Sequence, residues 1–138
     1  MRILAVDHGV ARMGCAISDP TGTIARPLDV IEPPDPHAVA ELVAEHEVEL
    51  VVVGLPISLS GAEGQQASEA GAFKDALAEI LDVPVETYDE RLTTRLAERS
   101  ARAGAAAAPD SLAAAHLLDS YLAARRSSEG RDSPGGSG

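Results

Sequence analysis

The run Leu50-Val51-Val52-Val53 is apolar without interruption and is closed by Gly54-Leu55-Pro56. Four residues are too few for a helix, and a run with no polar alternation belongs to a strand covered on both faces. Such a strand sits inside a sheet with a layer on each side, so the chain around it has to supply partner strands and flanking helices. At 138 residues the chain is about the size of one domain.

Upstream, Ile3 to Val6 is a short β-rich run ending in Asp7-His8-Gly9, and Met13 to Ser18 is a second one after a turn carrying Gly9 and Gly14. A third run, Ile24 to Ile31, follows the turn residues Asp19-Pro20-Thr21-Gly22. Three strands joined by short turns predict an antiparallel meander. Pro33-Pro34-Asp35-Pro36 then breaks the chain, and Ala38, Leu42 and Val43 recur at helical spacing up to about Glu45.

Downstream, Ser58 to Gly64 reads as a loop, and Ala67, Ala70, Phe73, Leu77 and Ile80/Leu81 mark a helix from Gln65 to Leu81. Val83 to Tyr88 reads as a fifth strand delivering Asp89-Glu90-Arg91. Thr93 or Thr94 can cap a helix to about Ala103, Gly104 to Pro109 links, and a last helix runs from Asp110 to about Arg125. Ser127 to Gly138 holds almost nothing apolar and is expected to be disordered, which leaves one domain over 1–126. The order predicts an α/β fold with a five-stranded mixed sheet flanked by helices. It is the ribonuclease H-like order, although periodicity does not separate that from other three-layer α/β folds.

Composition narrows the function. Lys+Arg number 11 against 22 Asp+Glu, a net charge of −11, which argues against nucleic acid as a partner because phosphate affinity rests on Lys and Arg. One Phe, two Tyr and no Trp leave Ala, Val and Leu to fill the core and nearly exclude aromatic base-stacking platforms. Cys15 stands alone, which rules out an internal disulfide and any multi-cysteine zinc site. No apolar run reaches the roughly 18 residues of a membrane span, and Asp7 comes too early for a signal peptide, so the expectation is a cytoplasmic protein with no membrane partner.

Three acids fall where chemistry could gather. Asp7 and the pair Asp89-Glu90 end strands, at the carboxyl edge where open α/β sheets place their sites. Asp7 could equally cap its own turn, and Asp110 could be the N-cap of the last helix. Adjacent strand residues face opposite ways, so only one of Asp89 and Glu90 can share a site with Asp7 without a bulge. If the first and fifth strands flank the central one and the last helix crosses their ends, three hard oxygen ligands can converge, a set suited to Mg²⁺ or Mn²⁺ rather than Zn²⁺. Two such ions roughly 4 Å apart serve in-line phosphodiester displacement.

The blocks Asp7-His8-Gly9-Val10-Ala11-Arg12-Met13-Gly14, Ser18-Asp19-Pro20, Ala25-Arg26-Pro27-Leu28 and Val53-Gly54-Leu55-Pro56, then Gly61 and Gly64, carry a resemblance. With Asp89-Glu90-Arg91-Leu92-Thr93-Thr94, Asp110-Ser111-Leu112-Ala113-Ala114 and Tyr121-Leu122, they resemble the YqgF/RuvX family from Met1 to about Arg125. The resemblance implies a ribonuclease H-like fold near the RuvC-type resolvases and a nuclease that matures the small-subunit ribosomal RNA precursor. Holliday junction cleavage is the other activity it implies. It places the acidic triad, both catalytic and metal-binding, on Asp7, Glu90 and Asp110. Two departures stand out: His8 replaces a residue more often apolar or aromatic, and Gly104 to Pro109 is alanine-rich where relatives carry Lys/Arg.

Arg95, Arg99 and Arg102 lie within about 60° of one another on a helix, with Arg91 just upstream. With Arg12 in the first glycine turn they form the candidate nucleic-acid contact for structured RNA or branched DNA. The same arginines also fit an ordinary solvated face with Glu98 as local partner. A junction with two-fold symmetry would call for a homodimer. A non-catalytic nucleic-acid-binding module on the same fold is the competing reading. His116 reads as a packed side chain, His37 and His46 as helix-end residues, and Cys15 as a small buried hydrophobe.

Overall fold

The computed structural model describes residues 1–9, 11–55, 61–89 and 109–137, and their side chains except for 55–68, 109–110 and 127–137. The elements are β1 (Ile3–His8), β2 (Met13–Ser18), β3 (Ala25–Pro27), α1 (Pro36–His46), β4 (Leu50–Leu55), α2 (Gly61–Ile80), β5 (Val85–Asp89) and α3 (Pro109–Ser137). The five strands form one sheet in the order β3-β2-β1-β4-β5. β1, β2 and β3 pair antiparallel as the expected meander, while β4 runs parallel to both β1 and β5. The apolar run thus lies between the first and fifth strands, and the carboxyl ends of β1, β4 and β5 share one edge.

Alternation along each strand splits the core into two layers. Ile3 and Ala5 of β1, Ala16 of β2 and Leu50 and Val52 of β4 pack against Leu117, Leu118, Tyr121 and Leu122 of α3. Leu4 and Val6, Cys15 and Ile17, and Val51 and Val53 pack on the other side against Val39 of α1 and Phe73 and Leu77 of α2. Val51, Val52 and Val53 are fully buried, as a strand covered on both faces requires. Each such side chain contributes about 1.5–3 kcal/mol relative to exposure.

Several boundaries differ from the sequence reading. β3 is only three residues long; past Pro27 the Leu28 N–H still bonds the Cys15 carbonyl, and the chain meets β2 again at the bridge Met13–Ile31. β5 begins at Val85, because Pro84 cannot donate, and it runs on to Asp89. α2 begins at Gly61, not Gln65, so the expected loop over 58–64 is helical from residue 61. Helix-forming Ala62, Glu63, Gln65 and Gln66 offset the roughly 1 kcal/mol that each helical glycine costs. α3 continues through the segment expected to be disordered, to Ser137. Extending a helix already anchored by a packed stripe that includes Leu117, Leu118, Tyr121 and Leu122 involves no new nucleation cost. α1 follows its expected course, with Asp35 as N-cap accepting from the His37 N–H at 3.0 Å and His46 as its last residue. The helix expected after Thr94 and the 104–108 linker lie outside the described residues. Among the described residues, no helix is long and apolar enough to cross a membrane.

Candidate active site at the carboxyl edge of the sheet

Asp7 is the fifth residue of β1 and half-buried. It shares a face with Ile3 and Ala5, so its side chain rises on the α3 side of the sheet. Its lateral partners are Gly14 on β2 and Gly54 on β4. Both are glycines, so the carboxylate stands in a notch with no side chain beside it on either strand. The next residue across is Tyr88, paired with Gly54 on β5.

α3 brings Asp110 to the same edge and face. The buried Ser111 hydroxyl donates to the Leu28 carbonyl, the Leu28 N–H bonds the Cys15 carbonyl at 2.8 Å, and Cys15 is paired with Val6 next to Asp7. At its other end α3 carries Leu122, Arg125 and Arg126 to a hollow shared with Met1 and Ile3. The helix therefore starts at the sheet edge where β1 ends, on the β3 side of β2, and runs back toward the start of β1. The N-cap reading of Asp110 gives way to a place in the first turn, since helical backbone begins at Pro109. Proline is well suited to that first position, and a carboxylate in the first turn is favoured by the helix dipole.

β5 answers half of the Asp89-Glu90 question. Tyr121 donates to Glu86 Oε1 at 2.6 Å, and the Tyr88 hydroxyl lies 3.0 Å from Ser120 Oγ. The Tyr88 and Tyr121 rings meet edge to face at 5.6 Å. Glu86 and Tyr88 thus face α3, while Val85 packs in the layer of α1 and α2. Asp89, two pairs of residues from Val85, faces that second layer and is turned away from Asp7. Glu90, Arg91, Arg95, Arg99 and Arg102 lie outside the described residues. The Tyr88, Ser120, Tyr121 and Glu86 contacts had no signature in the sequence beyond the presence of the two tyrosines.

The turn after Asp7 is drawn tight. The Gly9 N–H donates to the Arg12 carbonyl at 3.0 Å, and a Cβ on Gly9 would sit 2.6 Å from that oxygen. Arg12 itself is exposed at this edge. His8, on the α2 side, rests its ring on Phe73 with centroids 4.9 Å apart and planes tilted 45°. Burial lowers the pKa of His8, while the charges of Glu69 and Asp7 pull it back up.

Two further titratable side chains, Cys15 and His116, are buried in the core. Burial, with Asp29 adding to it, pushes the Cys15 thiol up to about 12, so it is protonated at neutral pH and lies in the opposite layer. His116 is buried with its Nε2 unpartnered, and burial lowers its pKa against the pull of Asp119. Both match their reading as packed side chains. Among the described residues, no three His, Cys, Asp or Glu side chains gather into a metal-binding group; of the three candidate ligands only the Asp7 side chain is among them.

A family profile described as RuvX, Holliday junction resolvase, matches residues 1–124. A protein of Thermobifida fusca named "Putative pre-16S rRNA nuclease" is 53% identical over 105 residues, 74% of this chain and 66% of that protein. A Chloroflexus aggregans protein of the same name is 45% identical over 134 residues, covering 90% of this chain and 94% of its own. Among solved structures, Thermus thermophilus RuvC in complex with a Holliday junction substrate superposes with a TM-score of 0.65 at 19% identity, over 91% of this chain and 96% of that one. The fowlpox virus Holliday junction resolvase gives 0.55 at 15%, over 90% and 99%. At such identities the likeness establishes the fold, that of the ribonuclease H-like resolvases.

Proposed function

Because the chain belongs to the RuvX family, we propose that it is a nuclease hydrolysing phosphodiester bonds, acting in the cytoplasm on the 5′ end of the 16S rRNA precursor. The observation that carries the reading is Asp7, a strand-end carboxylate flanked by Gly14 and Gly54, with α3 starting at the same edge of the sheet. Two missing side chains leave room for a phosphate to come against the carboxylate, where any larger residue would fill the space.

The donor set suits a hard divalent cation. Asp7, Glu90 and Asp110 would hold Mg²⁺ or Mn²⁺, and the softer candidates are elsewhere, with Cys15 protonated in the opposite layer and His116 packed on α3. Bound there, such ions offset charge on the attacking and leaving oxygens of an in-line displacement. Asp89 faces the other layer, which leaves Glu90 as the β5 contribution. Arg12, Arg91, Arg95, Arg99 and Arg102 would grip flanking phosphates and orient the scissile one. The protein's acidic balance makes that grip local and salt-sensitive.

Asp7→Asn tests the reading on precursor rRNA with Mg²⁺ or Mn²⁺ supplied. The expected result is loss of cleavage with binding retained. A variant that cuts every substrate as fast as the parent removes Asp7 from the chemistry.

The family's description favours a second reading, cleavage of four-way DNA junctions. Two symmetric cuts need two sites related by a two-fold axis, so this reading expects a homodimer on the junction. Sizing the protein with and without junction DNA, beside a cleavage assay on both substrates, separates the two.

A further inference from the structure

The chain is so poor in aromatics that base recognition by stacking looked excluded, yet a ring stands at the site edge on the α2 side. His8 is the residue after Asp7 and the last of β1, half-buried, on the α2 side of the sheet. Phe73 lies behind it, itself buried, and the 4.9 Å ring contact fixes the imidazole against the core. Glu69, one turn earlier on α2, is exposed, and its charge acts on the His8 ring. The edge therefore carries a backed flat ring and an accessible carboxylate side by side, separated from Asp7 by one residue of backbone.

Those are the parts of a nucleobase contact. A flat ring held from behind offers its exposed side for stacking at little cost in conformational entropy. A neighbouring carboxylate accepts hydrogen bonds from exocyclic amino groups, which adenine, cytosine and guanine carry and uracil and thymine lack. Asp7 and His8 face opposite sides of the sheet, so a strand whose phosphate lies at Asp7 crosses the edge and brings a neighbouring base to the α2 side.

We propose that His8 and Glu69 receive an unpaired nucleobase next to the cleaved phosphate, His8 by stacking and Glu69 by accepting from the base's amino group. This rests on the nuclease reading for the position of the strand. It extends that reading by adding a base preference to a site otherwise built from carboxylates and phosphate contacts.

The test uses the full chain carrying Asp7→Asn, so that binding is read without turnover, and fluorescent single-stranded oligonucleotides of all-adenine, all-cytosine and all-uracil sequence. His8→Ala is expected to weaken binding to the adenine and cytosine strands about tenfold, and His8→Phe to restore it. Glu69→Gln is expected to narrow the gap between the amino-bearing strands and the uracil strand. If His8→Ala binds all three as the Asp7→Asn protein does, or His8→Phe is as weak as His8→Ala while circular dichroism shows both folded, the stacking role is wrong. If Glu69→Gln leaves the gap between the amino-bearing strands and the uracil strand unchanged, Glu69 reads no base. Cleavage by the parent chain is scored separately: a parent that cuts nothing counts against the nuclease reading, while the binding series still decides the base contact.

Discussion

Gly9→Ala probes the turn that sets Asp7 in place. Gly9 does not lie in the left-handed region, so the demand there is for space alone. The added Cβ would stand 2.6 Å from the Arg12 carbonyl oxygen, against an ordinary contact of 3.4 Å or more. Relief takes roughly 0.8 Å of backbone movement, which stretches the 3.0 Å Gly9–Arg12 hydrogen bond beyond useful length. Losing that bond costs about 1 kcal/mol, and residual crowding brings the total to about 1–3 kcal/mol. At about 3 °C per kcal/mol for a chain of this size, the melting temperature should fall by roughly 3–10 °C. Gly9 follows Asp7 by two residues, so the same shift disturbs the carboxylate, and a displacement near 1 Å at a reacting site costs about a hundredfold in rate. Thermal melts and metal-dependent cleavage of precursor rRNA measure the two effects. A variant that melts with the parent refutes the steric argument. One that melts early but cleaves at the parent's rate shows that the turn does not register Asp7.

Three further outcomes are expected. His116 has a folded pKa below its unfolded value of 6.5, so just under that pH the unfolded chain binds more protons than the folded one. Stability should therefore fall as pH drops through about 6.5, with His8 contributing in the same direction, and His116→Leu should flatten the slope in urea melts at pH 5 to 8. Deleting residues 127–138 should leave the melting temperature within about 2 °C, because this Ser-, Gly- and charge-rich stretch has almost nothing apolar to bury; a larger loss would show that the tail docks. Replacing Arg95 and Arg99 together should lower the salt dependence of nucleic-acid binding by about two in log–log slope, since two phosphate contacts no longer release counterions. An unchanged slope removes both from the contact surface.

How much of this was legible depended on whether neighbours along the chain were neighbours in space. The two-sided burial of Val51, Val52 and Val53 and the meander of β1 to β3 follow from local pattern, and both stand in the structure. Strand ends were harder: β3 ends at Pro27 although the apolar pattern runs on to Ile31, and Pro84 has no N–H to carry β5 further upstream. The start of α2 was harder still, since glycines read as a loop until a helix extends through them. At the site, Asp7 was visible as a strand-end acid, but its isolation was not. That Gly14 and Gly54 both lie beside it is a matter of register between three strands, which no local pattern carries.

Register also bears on which acid of the Asp89-Glu90 pair joins Asp7. The sequence states only that the two face opposite ways. Tyr88 on the α3 side, held to Ser120 and packed on Tyr121, fixes the parity of β5. Asp7 lies on that same side through its parity with Ile3 and Ala5, so Asp89 is on the wrong face for it. The consequence is measurable: Asp89→Asn should retain metal-dependent cleavage within a few-fold of the parent, and Glu90→Gln should lose it about as fully as Asp7→Asn. The reverse ranking would require β5 to shift its pairing by one residue. Such a slip would turn Tyr88 away from α3 and Val85 out of its layer, so it would appear as a loss of stability in the parent fold before it appeared in any rate.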